Sequence, residues 1–383
     1  MTVSGTFPLP AGIRARHVPA INGMTLHMLE SGWQSRGRPC VLLLHGFPEL
    51  AYSWRKVMPV LADAGYHVIA PDQRGYGRTT GWSDDYDGDL RPFAMPNLMR
   101  DAFGLVNALG IRSVAALVGH DFGASVAAWC ALLRPDVFRS LVLMSAPFAG
   151  PPAVPFDTAN QAMPATRPAA DIHAALAVLA RPRKHYQWYY STRAANADML
   201  RCPEGVHAFL RAYYHMKSAD WPGNRPVPLA AWTAAELARL PTYYIMDLGR
   251  NMAQTVAAEA PAAAQVAACA WLPEDELAVY SAEYARTGFQ GGLQWYHSRT
   301  SGRFDAEMQT WSGRTIDVPS CFIGGARDWG IHQVPGALEA MRARACTHME
   351  AVHLIDGSGH WVQQERPAEV NALLIDFLRR QST

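Results

Sequence analysis

Apolar residues in this chain fall into short unbroken runs separated by longer stretches in which they recur every three or four positions. Residues 40–44, Cys-Val-Leu-Leu-Leu, are apolar throughout, the pattern of a central strand buried on both faces. Similar short runs at 67–70, 114–118 and 141–144 predict further strands, and 24–30 alternates loosely enough for another. Between them, helical spacing predicts helices over 52–64, over 97–109 up to Gly110, and through an Ala-rich stretch to Leu133, ended by Pro135. Residues 1–20 are proline-rich and are expected to wrap the surface, and 79–96 read as a polar loop. Strands alternating with helices argue for an α/β fold: a mostly parallel sheet flanked by helices on both faces.

From Ser145 the texture changes. Residues 147–300 show no comparable buried strand, several Ala-rich helical stretches, proline clusters at 147–155, 164–168 and 222–228, and a dense load of Trp and Tyr. The alternating pattern resumes at 319–325 and 353–355 and ends in an amphipathic helix over 367–378. The expected organisation is a core of 1–147 and 301–383, interrupted by a helical lid at 148–300.

Composition narrows the classes of function. Of 383 residues, 49% are hydrophobic and 17% charged, which supplies a large core and excludes a disordered chain. The net charge is +1 with no basic or acidic block, so neither nucleic acid nor an anionic membrane is the expected partner. Six cysteines are scattered without paired spacing, which suits a reducing compartment better than a disulfide framework. The first 20 residues hold no apolar signal-peptide core, and the Ala-rich stretch at 256–272 is broken by Glu259 and Pro261. A cytoplasmic protein is expected, with no metal and no cofactor.

The candidate chemistry gathers where predicted strands end. The strand at 114–118 runs into Gly119-His120-Asp121-Phe122-Gly123-Ala124 and then a helix. Small residues at such a turn let strand and helix pack closely, the geometry of a nucleophile elbow with Asp121 in the place of serine. An N-cap would use the same aspartate, so the turn alone leaves both readings open. Two later strands deliver Asp328 and His360. Nucleophile, acid and histidine then follow in the order expected of α/β-hydrolases, each at a carboxyl edge. Asp356 is a rival acid, but it leaves the same strand as His360. Ser145, Ala146 and Pro147 offer no acid after 141–144.

Further pieces complete a resemblance: His45-Gly46-Phe47-Pro48, Asp72-Gln73-Arg74-Gly75-Tyr76-Gly77, Gly359-His360-Trp361, and in the lid 185–189 and 287–296. Along nearly its whole length the chain resembles the epoxide hydrolases of the α/β-hydrolase superfamily. The resemblance implies that Asp121 attacks an apolar epoxide and that lid tyrosines Tyr186 and Tyr296 bind and protonate its oxygen. Tyr189, Tyr190, Tyr213 and Tyr214 compete for the first of these places. His360, oriented by Asp328, would activate the water that hydrolyses the resulting ester, with the amides of Phe47 and Phe122 as the oxyanion hole. Pro48 would fix the loop that aims the Phe47 amide, and His45, Pro48, Trp188, Trp295 and Trp361 are the expected substrate contacts. A haloalkane or haloacetate dehalogenase shares the Asp-His-Asp set, but Phe122 offers neither an indole N–H for a halide nor an arginine for a carboxylate. A retired hydrolase serving as a small-ligand receptor is the non-enzymatic alternative. The lid reads as longer than is usual for such a family, with the excess between about 190 and 275.

Overall fold

The structure, a computed structural model, describes residues 8–154 and 171–381. The proline cluster at 164–168 and the end of that at 147–155 lie outside the described residues. Eight strands form one sheet: β1 (Arg14–Ile21), β2 (Met24–Ser31), β3 (Cys40–Leu44), β4 (His67–Pro71), β5 (Val114–His120), β6 (Leu141–Met144), β9 (Ser320–Gly325) and β10 (Met349–Ile355). Their spatial order is β1-β2-β4-β3-β5-β6-β9-β10. The first two pairings, β1 with β2 and β2 with β4, are antiparallel, and every later one is parallel.

Alternation along the central strands divides the core. Val41 and Leu43 face one layer with Val68, Val118, Val142 and Ile323, closed by Trp54, Leu61 and the C-terminal helix Pro367–Arg380. Leu42 and Leu44 face the other with Ile69, Leu117, Leu143 and Phe322, covered by helices Met95–Ala108 and Phe122–Leu133. Successive side chains of a strand point to opposite faces, so an all-apolar run requires cover on both.

Two expectations are corrected. Within the expected surface wrap of 1–20, residues 14–20 belong to β1, an edge strand in which only Val18 and Ile21 are buried. Its arginines carry too little apolar alternation to read as a strand. Arg14, Arg16 and His67 all reach Glu30 on β2, tying three strands together and holding that carboxyl at about 2 although burial opposes ionisation. Second, the segment between β6 and β9 is helical but does hold a short antiparallel pair, β7 (Arg183–His185) and β8 (Ile245–Asp247). Both strands have three residues, too few to leave a periodic trace, and β7, Arg-Lys-His, is polar as well.

The helix Gln290–Thr300 of that inserted segment docks on the core loop that follows β4. Gly291 and Gly75 meet backbone to backbone: a Cβ on Gly291 would lie 2.1 Å from the Gly75 carbonyl oxygen. Trp295 Nε1 donates to the Arg74 carbonyl at 2.8 Å across the same contact. Gly291→Val should therefore lift the helix from the core, lowering stability by about 1–3 kcal/mol in urea unfolding. Because the next turn carries Tyr296, activity should fall further than the stability loss explains.

Candidate active site

At the end of β5 the chain reverses at Asp121, whose backbone adopts φ 52° and ψ −121°. A non-glycine residue there is strained by roughly 1–3 kcal/mol and persists only where its surroundings fix it. The Asp121 N–H donates to the Met144 carbonyl at 3.1 Å, and the Asp121 carbonyl accepts the Ala124 N–H at 3.0 Å. A Cβ on Gly119 would lie 2.4 Å from the Gly123 carbonyl oxygen, and one on Gly123 would lie 2.5 Å from the His45 carbonyl oxygen. Only glycines permit this turn.

The side chain of Asp121 is nearly buried. Its Oδ1 accepts the Phe47 N–H at 3.1 Å, and its Oδ2 lies 3.3 Å from His360 Nε2. Phe122 opens the following helix, so its amide is one of those with no acceptor inside the helix. On the other side of the ring, His360 Nδ1 lies 3.1 Å from both oxygens of Asp328, which also accepts the Gly330 N–H at 2.6 Å. Asp356, by contrast, is exposed. Burial opposes ionisation of Asp121, but His360, Lys217 and His120 outweigh it and hold the carboxyl far below the usual range. Asp328 is likewise held low against burial, by His360 and the Gly330 amide.

A cavity of about 90 Å³ opens over this carboxylate, lined by Asp121, Phe122, Tyr186, Tyr296, Gln333 and their neighbours. The Tyr186 hydroxyl donates to Gln333 Oε1 at 2.9 Å, and β7 and β8 set its position because the Tyr186 N–H donates to the Tyr244 carbonyl at 2.9 Å. The rings of Tyr186 and Tyr296 are 6.0 Å apart. Burial pushes both phenols up, so they stay protonated donors. The competing tyrosines are engaged elsewhere: Tyr189 with Asp198 at 2.8 Å, Tyr190 with Tyr213 at 3.2 Å, and Tyr214 with the Pro48 carbonyl at 3.0 Å.

The expected substrate contacts are not brought to this cavity. Both ring nitrogens of His45 are used, Nδ1 with the Gly46 carbonyl at 2.9 Å and Nε2 with the Gln73 N–H at 3.1 Å. Pro48 is turned toward Tyr214. Trp361 Nε1 donates to the Tyr214 carbonyl at 2.8 Å, and its ring packs on that tyrosine. Trp188 is at the surface against His173 and His185. Trp295 lines a neighbouring cleft of about 350 Å³ with Phe93, Met95, Trp129 and Phe148, which shares Phe122, Ser125 and Arg299 with the cavity. A tryptophan near a site motif is more often packing than lining, because a large ring fills core space.

These features are shared with proteins of known kind. Residues 39–177 match the family model of the alpha/beta hydrolase fold. Epoxide hydrolase A of Mycobacterium tuberculosis is 34% identical over 369 residues, covering 93% of this chain and 95% of its own. The chain belongs to the epoxide hydrolase family. The epoxide hydrolase of Caballeronia sordidicola is 31% identical, with 98% of this chain and 96% of its own covered. Among solved structures, an epoxide hydrolase from an endophytic Streptomyces superposes with a TM-score of 0.73 at 32% identity, over 97% of this chain and 96% of that one. Potato epoxide hydrolase I gives a TM-score of 0.72 at 28% identity, over 96% and 99%.

Within this family member, two buried carboxylates beside the site were not singled out by the sequence reading. Glu49 follows the His45–Pro48 motif, and His120 precedes Asp121. His120 Nδ1 lies 2.5 Å from Glu49 Oε2, and its Nε2 lies 2.7 Å from the His360 carbonyl oxygen. Both nitrogens face acceptors, so the ring carries both protons and a positive charge. Burial opposes the charges of this pair, yet the partners raise His120 and hold Glu49 at about 2, with Gln363 and Gln364 each donating to Glu49 at 3.0 Å. Glu365 accepts the N–H groups of Gly359, Trp361 and Ala219, each at 2.9 Å, and so clasps both flanks of His360. Burial pushes it up to about 7. The only trace of either group in the sequence is adjacency to a motif.

No group of three His, Cys, Asp or Glu side chains among the described residues is placed to hold a metal ion. Glu49→Leu leaves the His120 charge buried without its partner and should cost about 3–5 kcal/mol in urea unfolding. The Glu49 carboxyl is depressed in the folded state. Its contribution is therefore present above pH about 4.5 and lost as pH falls through about 2, a loss the variant should lack.

Proposed function

We propose that the chain opens an apolar epoxide to a vicinal diol through a covalent alkyl ester on Asp121. One observation carries this reading: the Asp121 carboxylate and the hydroxyl-bearing rings of Tyr186 and Tyr296 line one small cavity. A carboxylate already ionised needs no base before it attacks the strained carbon. As the C–O bond breaks, the ring oxygen takes a proton from a tyrosine, and the new C–O bond to Asp121 completes the ester. His360 then removes a proton from water, with Asp328 orienting the imidazole. The hydroxide adds to the Asp121 carbonyl and the oxyanion rests on the amides of Phe47 and Phe122. Collapse breaks the ester C–O bond, the departing alkoxide takes the proton held by His360 to complete the diol, and the proton of the added hydroxyl returns to the tyrosinate, which restores the Asp121 carboxylate. Each such amide is worth roughly 3–4 kcal/mol where removed elsewhere.

The aromatic cleft adjoining the cavity supports an apolar substrate body. A dehalogenase would need a free donor for halide, but Phe122 has none, and the indole N–H groups of Trp295 and Trp361 are committed to backbone carbonyls. All six thiols are free, which supports a reducing cytoplasmic setting. No helix among the described residues is long and apolar enough to cross a membrane.

His360→Gln should accumulate the Asp121 ester, seen as a substrate-mass adduct on the intact protein. An unmodified protein that still turns over would exclude His360 as the base. Tyr186→Phe with Tyr296→Phe should slow ester formation about 10²–10⁴-fold in single-turnover kinetics.

A further inference from the structure

The two tyrosines that line the cavity over Asp121 differ in what holds their hydroxyls. The short turn Trp329–His332 begins at Asp328 and ends on Gln333, so the loop that carries the acid also brings a half-buried amide to the cavity wall. Gln333 Oε1 accepts the Tyr186 O–H at 2.9 Å. Gln187, next to Tyr186 in the helix Tyr186–Tyr190, donates from Nε2 to the Tyr186 oxygen at 3.2 Å. The single proton of the Tyr186 hydroxyl is therefore committed, and one of its lone pairs is in use.

Tyr296 stands in the opposite state. Its ring packs edge-to-face among Phe47, Phe122 and Tyr190, with ring centres 5.5, 5.3 and 5.1 Å away. The two phenylalanine side chains carry no polar atom, and the Tyr190 hydroxyl donates to Tyr213. Among the described residues the Tyr296 hydroxyl has no hydrogen-bond partner, so its proton is uncommitted where the side chain lines the cavity.

A proton already donated to an amide is harder to deliver. Before Tyr186 can protonate a ring oxygen, its O–H must leave Gln333 and the Gln333 oxygen must find another donor, a loss worth about fivefold in rate. Tyr296 has no such bond to break. We propose that Tyr296 delivers the proton that opens the epoxide, and that Gln333 is a positioning residue that holds the Tyr186 proton and so makes the two tyrosines unequal. In this step an Asp121 oxygen bonds to the carbon as the carbon–oxygen bond of the ring breaks. The ring oxygen takes the Tyr296 proton and becomes a hydroxyl, leaving a tyrosinate. The inference rests on the covalent mechanism given above.

The test measures the rate of ester formation in single turnovers with styrene oxide, quenched in acid and read by intact-protein mass spectrometry. Tyr296→Phe should slow ester formation at least about fivefold more than Tyr186→Phe does. Gln333→Met keeps the length of the side chain and removes the acceptor, which frees the Tyr186 proton. In that background the loss caused by Tyr296→Phe should shrink by about fivefold, because Tyr186 can then serve in its place. A merely structural Gln333 would slow the protein alike with and without Tyr296→Phe. Thermal melts accompany the kinetics, and if the Met variant does not fold, Gln333→Leu carries the same comparison. Equal losses from the two tyrosine variants, or a larger one from Tyr186→Phe, overturn Tyr296 as the donor. An unchanged Tyr296→Phe loss in the Gln333 variant overturns the role of Gln333. Absence of any ester in the wild-type protein would instead overturn the covalent mechanism.

Discussion

A carboxylate withdrawn from water at the end of a central strand must be kept charged, and much of the surrounding architecture answers to that need. Asp121 is nearly buried, which by itself would favour the neutral acid. The Phe47 amide, the imidazole of His360 and the nearby cations reverse this preference. They come from different stretches of chain: the loop after β3, the loop after β10, and, for the cations Lys217 and His120, the helix Gly205–Lys217 and the end of β5. The strained backbone at Asp121 has the same origin. Aiming a side chain out of a strand-to-helix turn requires an unfavourable φ, and the glycines at 119 and 123 let the neighbouring backbones close around it.

The second constraint is registration of the inserted helices on the core. Tyr186 and Tyr296 belong to separate helices, and neither position follows from the sheet. Tyr296 is placed by the Gly75–Gly291 contact and the Trp295–Arg74 hydrogen bond. Tyr186 is placed by the short β7–β8 pair, through the bond from its amide to Tyr244. Hydroxyl groups carried on an insertion are placed only as precisely as it docks, and here backbone-to-backbone approach replaces flexible side chains at the contact.

Around these groups lies a layer of buried ions. Glu49 with His120 and Glu365 with three amides converge on the loop that carries His360, one pair through its carbonyl and the other through flanking N–H groups. Such networks are costly to bury and costlier to break, so they impose one geometry on the His360 ring.

The strands at 40–44, 67–70, 114–118 and 141–144, the elbow at Asp121, and the order Asp121, Asp328, His360 were all legible in the chain itself. Apolar runs must be buried on both faces, and a turn tight enough for an elbow demands small residues at fixed spacing. Those are local consequences of residue type. The edge strand β1, the β7–β8 pair, the choice of Tyr186 over its four neighbours, and the true surroundings of His45, Trp188 and Trp361 were not legible. Nor were Glu49, Glu365 and Lys217. A tyrosine that donates to Gln333 and one that donates to Asp198 have the same composition and the same local spacing. Only tertiary packing decides which hydroxyl meets the Asp121 cavity, because the partner that marks out Tyr186, Gln333, lies 147 residues along the chain, whereas that of Tyr189 lies only nine away.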